Sequence, residues 1–426
     1  MLNVVSQVQT SIVRIPDFRR LWSASTVSYL GSEISELALP LLAISVLGAS
    51  DSEVGALRAA HFARFLIATL AVGVIADRRR RRPLMIGADL LRFATTVSIP
   101  VAVWFGAGGV SWLLPVVFVT GIGTVVYQTA DYAYLPTLID KRRLVTANSW
   151  LGASQSAAAI GGKGLGGALV AAVGAPVAVL TDAVSYLVSA FNLSRITRPE
   201  PPPQPTERGT ARRDLIVGLE TIFQNRLLRP LLGEAATYNL FNEAFVTALL
   251  IYTAGTVGLS AASIGGIFVL GAIGALLGAT IGHAVSDRLG FGRALLATMA
   301  IGNTGALIAW AAMPTATATT LATGGALFVM GFGSGAANVH TTSLRQSAAP
   351  NHVQAKLNAA YRFISWGAIP IGAAAGGLLA ARYGSRTAMN IAALGVPLAT
   401  IWVAASSIPR LTRLDDIDAA HTATSR

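Results

Sequence analysis

Three glutamates, Glu33, Glu36 and Glu243, stand inside long apolar stretches of a 426-residue chain. Glu33 and Glu36 are three apart, which puts them on roughly one face of a helix. A charge at the centre of a bilayer costs about 2.5–3.5 kcal/mol unless it is paired or wet, so each of these is retained for a reason. A carboxylate that has lost part of its water holds a proton more readily and can trade it near neutral pH. Proton and substrate then compete for one site. The plainer role is a structural ion pair, with Arg64 or Lys163 as the partner. Those two cations have a further role open to them, contact with an anionic group of a substrate. Tyr29, Tyr127, Asn239 and Asn242 lie on the same stretches and, with Tyr238 and Trp366, suit the wall of an amphipathic pocket.

Nothing else in these stretches does covalent chemistry. No nucleophile–base pair and no metal-ligand spacing occurs, so no catalytic residue, no metal and no enzyme is expected. No G-x-x-x-x-G-K-[ST] is present, so ATP does not power the chain directly, and a proton gradient is the expected energy source with no cofactor. Zero cysteines exclude disulfides and thiolate metal sites.

These charges need apolar elements to hold them. The chain is 53% hydrophobic and 12% charged, about half the charge fraction of a soluble domain. Its net charge of +12 is split into short clusters between apolar runs, which points to a lipid bilayer as partner and away from nucleic acid. A spanning helix needs about 20 apolar residues. Twelve such stretches are expected: 21–47, 54–75, 84–105, 112–136, 146–173, 177–195, 230–255, 262–285, 293–313, 318–344, 356–381 and 386–406. The first is too long for a cleavable signal peptide and follows Arg14, Arg19 and Arg20. On this map 25 of the 32 lysines and arginines fall in even-numbered loops or at the termini, and two, Arg382 and Arg386, in odd-numbered loops. Both termini are therefore expected in the cytoplasm.

The chain repeats itself at an offset of 210 residues. Asp77-Arg78 recurs as Asp287-Arg288, Glu33 as Glu243, Asn148 as Asn358, and Gly162-x-x-x-Gly166-Gly167 as Gly372-x-x-x-Gly376-Gly377. Two copies of one unit in an apolar chain are a mark of secondary transporters. The glycine runs predict close packing between helices. The copies meet at Pro199 to Pro205 and a charged stretch beyond it, where Leu215, Leu219, Ile222 and Phe223 predict an amphipathic surface helix. The expected division is 1–198 and 230–408 as six-helix bundles, 199–229 as cytoplasmic linker, and 409–426 as cytoplasmic tail.

Gly73-Val-Ile-Ala-Asp77-Arg78-Arg-Arg-Arg81-Arg82 resembles the loop 2–3 signature of the major facilitator superfamily, G-x-x-x-D-[RK]-x-G-[RK]-[RK], with Arg80 where the family has glycine. Asp131-Tyr-Ala-Tyr-Leu-Pro136, Leu144-Val-Thr-Ala-Asn148 and Asp89-Leu-Leu-Arg92 resemble the exporter branch that includes siderophore (enterobactin-type) exporters and macrolide-efflux-like proteins. In relatives of that kind helix five carries Gly-Pro-x-x-Gly-Gly, where this chain has Lys163 for the proline.

The resemblance implies an all-α membrane protein of two pseudo-symmetric six-helix bundles in the bacterial plasma membrane, working as a monomer. It implies that helices one, four, seven and ten line a central cavity, across which Glu33, Glu36 and Glu243 would face one another. Gly73, Asp77, Arg78, Arg81 and Arg82, with Asp287 and Arg288 in the second copy, would gate the cytoplasmic side. Asp131 is expected to reach the arginine run from helix four. Glu36-x-x-x-Pro40 resembles the acid-before-proline pattern of some drug/proton antiporters. The implied activity is proton-coupled export of an amphipathic small molecule such as a drug, an antibiotic or a siderophore-like metabolite. Import or uniport of a nutrient by the same fold is the alternative, and a non-transporting membrane sensor stands behind it.

Overall fold

The computed structural model describes residues 12–200, 211–312, 315–350 and 353–413; of residues 65, 67–78, 211, 212 and 283 it describes the backbone alone. Among the described residues the regular structure is helical throughout. Helices α1 (Pro16–Ser45), α2 (Asp51–Arg78), α3 (Arg81–Trp104), α4 (Val110–Leu138), α5 (Leu144–Val173) and α6 (Ala175–Ser194) form the first half. A short helix α7 (Ala211–Gln224) precedes α8 (Leu228–Leu250), α9 (Ala261–Leu289), α10 (Phe291–Gly305), α11 (Ala316–Ser347), α12 (Gln354–Tyr383), α13 (Ser385–Gly395) and α14 (Leu398–Ala404). The last expected span, 386–406, is thus two helices. Pro397 stands between them, and it has no N–H to continue the ladder.

Ten helical segments among the described residues are long and apolar enough to cross a membrane, with α10 extended to Ala311 and α13 with α14 taken together as Ser385–Ala404. The expected span 230–255 is helical but is not among the ten, and much of the expected span 54–75 lies outside the described side chains. Asn239, Asn242, Glu234 and Glu243 dilute the apolar character of α8, and it ends in a π-turn over Ile251–Thr256.

The chain divides into two compact units. The first comprises residues 1–49, 60–207 and 260–265, and the second residues 50–59, 208–259 and 266–426. In the first, α6 packs on both α1 and α3, α5 packs on α1, and α4 packs on α3. In the second, α8 is the hub, against which α12, α13 and α14 pack.

The repeat appears in the packing. In the first unit a Cβ on Gly166 would stand 3.0 Å from the Ile34 carbonyl oxygen, and one on Gly167 2.9 Å from the Gly265 Cα. In the second unit the same register gives 2.6 Å from Gly376 to the Ala244 carbonyl oxygen and 2.6 Å from Gly377 to the Gly55 Cα. Each pair is displaced from its mate by 210 residues. These glycines let helix backbones approach more closely than any side chain permits. The turns repeat less completely. Gly290 turns the chain at φ +79°, whereas Arg80, its mate, takes the extended conformation at φ −61° and ψ 133°. A side chain at the first position forbids the left-handed turn used at the second.

Helix α7 docks as the apolar spacing predicts, with one exception. Ile222 is buried in a core with Leu228, Leu231 and Leu357, against which Leu215 and Leu219 pack. Asp214 pairs with Lys356 of α12 at 2.9 Å. A Cβ on Gly218 would stand 2.3 Å from the Lys356 carbonyl oxygen, so the two helices touch backbone to backbone. Phe223, expected on the packed face, is exposed. It follows Ile222 by one residue, a rotation of about 100° on the helix.

Candidate functional site

A cavity of about 220 Å³ lies inside the first unit. Helix α1 lines it with Tyr29, Ser32, Glu33 and Glu36, α2 with His61 and Arg64, and α6 with Asp182 and Tyr186. Lys163 reaches in from α5. Its Nζ stands 3.1 Å from Glu36 and 3.9 Å from Glu33, and each of the three side chains is about a quarter exposed (25–26%). One ammonium therefore contacts two carboxylates, and Arg64 on the same cavity adds a second positive charge beside them. Gly162 makes this possible, since a Cβ there would stand 2.4 Å from that of Glu33. The volume is below the roughly 300–1,000 Å³ of pockets that enclose a drug-sized ligand. It suits ions, water or one polar group of a larger molecule.

On the same cavity α3 and α4 carry a second charged group, with Arg92 and Tyr127 in the lining. Arg92 pairs with Asp89, both wholly buried. Its guanidinium lies between two rings, 4.4 Å from the centre of Tyr127 and 4.3 Å from that of Tyr186. The Tyr127 hydroxyl is 3.3 Å from that of Ser25 and 3.4 Å from that of Ser189. Tyr186 donates to Asp182 at 3.1 Å and stands 3.2 Å from the Ser32 hydroxyl. Small residues again make the room. A Cβ on Gly121 would meet the Arg64 side chain at 2.4 Å, and one on Gly123 the Arg92 side chain at 2.8 Å. Positions two apart on a helix point to different sides, so α4 accepts one arginine on each.

In the second unit Glu243 has another environment. Arg58 donates to its Oε1 through both Nε, at 2.8 Å, and Nη2. Both side chains are buried, at 6% and 8% exposure. One cation for one anion, closely bonded and dry, leaves no surplus charge. Glu243 is the 210-residue mate of Glu33, yet the counter-ion comes from α2 in one case and from α5 in the other. Arg58 carried no assignment in the sequence, because its partner is 185 positions away and no periodicity links them.

Glu243 is not among the residues lining the cavity, nor are Asn239 and Asn242. Asn239 donates instead to the Ser365 carbonyl at 2.7 Å. Among the gating candidates, Gly73, Asp77 and Arg78 lie outside the described side chains, and Asp287 and Arg288 are exposed. Arg81 and Arg82 have other partners. Glu200 accepts from both their backbone N–H groups at the start of α3, with the Arg81 guanidinium 3.8 Å away. The Arg82 side chain donates to the Leu193 carbonyl at 2.9 Å and to that of Ser194. Negative groups at a helix N-terminus and positive ones at a C-terminus both suit the helix dipoles. Asp131, expected beside the arginine run, is instead buried near Ser25, Asp89 and Arg92. The described arginines of the run turn to Glu200 and to solvent, and the polar interior of α1, α3 and α4 is what receives this carboxylate.

A family model described as Major Facilitator Superfamily matches residues 21–373. The chain belongs to the major facilitator superfamily. It is a multi-pass membrane transporter and not an enzyme. It is 26% identical to the multidrug efflux pump Tap of Mycolicibacterium fortuitum over 416 residues, which is 95% of this chain and 98% of that one. It is also 26% identical to macrolide efflux protein A of Streptococcus pyogenes over 139 residues, which is 33% of this chain and 34% of that relative. Among solved structures, a bacterial homologue of the iron transporter ferroportin in an inward-facing state superposes with TM-score 0.75 at 18% identity, covering 91% of this chain and 98% of that one. The nucleoside transporter NupG superposes with TM-score 0.71 at 12% identity, covering 91% and 98%. These likenesses establish the fold.

Proposed function

We propose that the chain is a proton-coupled exporter of amphipathic small molecules such as drugs, antibiotics or siderophore-like metabolites. It crosses the bacterial plasma membrane twelve times with both termini in the cytoplasm, and works as a monomer by alternating access. Residues 1–198 and 230–408 are its six-helix halves, joined by residues 199–229. The proton gradient is its energy source. The observation that carries the reading is the pair Glu33 and Glu36 gathered on one cavity with Lys163 and Arg64. Two neighbouring acids can trade one proton while the cations beside them stay within reach of a carboxylate. A cationic or hydrogen-bonding group of a substrate can take the proton's place. The export direction draws on the efflux relatives at 26% identity.

Everted membrane vesicles with an imposed pH gradient test this, using erythromycin as a macrolide probe and ethidium as a lipophilic cation. Accumulation of either probe with matching proton release is expected from the wild type, and neither from Glu36→Gln. Probe accumulation that proceeds without proton movement overturns the coupling. Probe accumulation only in right-side-out vesicles overturns the direction.

A further inference from the structure

The first unit holds more carboxylates than the cavity uses. Asp89 and Asp131 are both buried, at 0% and 7% exposure, and Arg92 is the cation between them. Asp89 binds Arg92 through Oδ1, while its Oδ2 has no hydrogen-bond partner among the described residues. Asp131 Oδ1 is likewise buried without one. A buried acceptor left without a donor loses about 1–3 kcal/mol, and more when it is charged. Two carboxylates around one guanidinium leave one negative charge and two bare oxygens.

We propose that Asp131, with Asp89 and Arg92, forms a second proton-binding site of the first unit, reached from the cavity through the hydroxyls of Tyr127 and Ser25. A proton on Asp131 cancels the surplus charge and turns an acceptor-only group into a donor. The connection is on hand, because Tyr127 lines the cavity and its hydroxyl is 3.3 Å from Ser25, which stands beside Asp131. The same hydroxyl is 3.4 Å from Ser189, which stands beside Asp89. In transfer each hydroxyl passes its own proton forward and accepts one from behind. One proton moves, no bond order changes and no co-reactant is needed. The groups facing Asp131 are Tyr29 and Ser25 of α1, Asp89 and Arg92 of α3, and Tyr127 of α4. Arg92 in turn faces Asp182 and Tyr186 of α6 and Arg64 of α2. The nearest positive charge is thus already committed to Asp89, and Asp131 depends on a proton. The site deepens the proton-coupled reading and rests on it for its role in transport.

The test uses the purified full chain in detergent and needs no substrate. Infrared difference spectra between acidic and alkaline buffer report protonated carboxyl groups directly. The wild type should show a carboxylic band that Asp131→Asn removes and that Glu33→Gln/Glu36→Gln retains. An unchanged band in a folded Asp131→Asn protein overturns the site. Tyr127→Phe, which keeps the ring over Arg92, should keep the band but slow its appearance after a rapid pH jump, on the order of tenfold or more. An unaltered rate overturns the route, and this arm stands even where Asp131→Asn does not fold. Loss of the band on adding sodium chloride at constant pH would mark a sodium site and overturn the proton assignment. A wild type that shows the band but moves no protons with either probe overturns coupled export alone.

Discussion

Two glutamates related by the repeat carry different burdens because their counter-ions differ. Glu243 and Arg58 form a closed pair, and removing one partner of such a pair strands a buried charge. Arg58→Ala should therefore cost about 3–5 kcal/mol, whereas the double change Arg58→Leu/Glu243→Leu should restore most of it. Thermal unfolding in detergent measures both, and equal losses would show that the pair is not what holds these helices. Lys163 stands apart, since it is partly exposed and shared. Replacing it by glutamine removes the positive neighbour of Glu33 and Glu36 and so favours their neutral, protonated form. The pH at which transport is half-maximal should move upward, with probe binding at low pH retained; a profile that does not move would place Lys163 outside the coupling site. At this scale the sequence was legible in part. Charges inside apolar runs identified Glu33, Glu36, Arg64 and Lys163, and the three-residue spacing of Asp89 and Arg92 is that of a helix pair. Arg58 and Asp131 were not legible, since what surrounds them comes from helices far away in the chain.

Helices obey glycine here as much as they obey hydrophobicity. Gly162 has the Glu33 side chain where its own Cβ would be, whereas Gly161 faces open space. Gly162→Ala should lose about 1–3 kcal/mol through overpacking and impair proton-driven export, while Gly161→Ala should leave both unchanged. Thermal midpoint and vesicle transport read the contrast, and equal behaviour of the two variants would remove the seam from the mechanism. The element map was largely readable from apolar length, and the glycine spacing announced close approach. Which backbone each glycine meets was not readable, nor that Gly121 and Gly123 make room for arginines. Such facts depend on the rotation of one helix against another, which hydropathy does not encode. The split of the last span at Pro397 was readable in principle from the proline itself.

For the whole molecule the repeat is the main organising fact, and with the cation clusters it supports the proposed topology. The absence of cysteine allows a direct check. In intact cells a membrane-impermeant maleimide should label Ala107→Cys, in the link between α3 and α4, but should reach Asp140→Cys, after α4, only once the membrane is opened. The reverse pattern would invert the orientation, and labelling of both in intact cells would break the span between them. Fold class and transport were legible without a structure because the apolar composition, the 210-residue repeat and the Asp77-Arg78 signature all pointed to them. What distinguishes the copies was legible only as unmatched charges, since Val246, Gly274 and Ala373 stand 210 residues beyond Glu36, Arg64 and Lys163.

The proposed exchange of cargo for a proton at Glu33 and Glu36 would also set the electrical character of a turnover. With one proton exchanged per cycle, a monocationic cargo would replace it like for like, and the cycle would be indifferent to membrane voltage. A neutral cargo leaves one charge per cycle to cross the field, with about 2.3 kcal/mol of driving force per 100 mV. A current recorded across a supported bilayer would then report the charge of the natural cargo while its identity was still being sought.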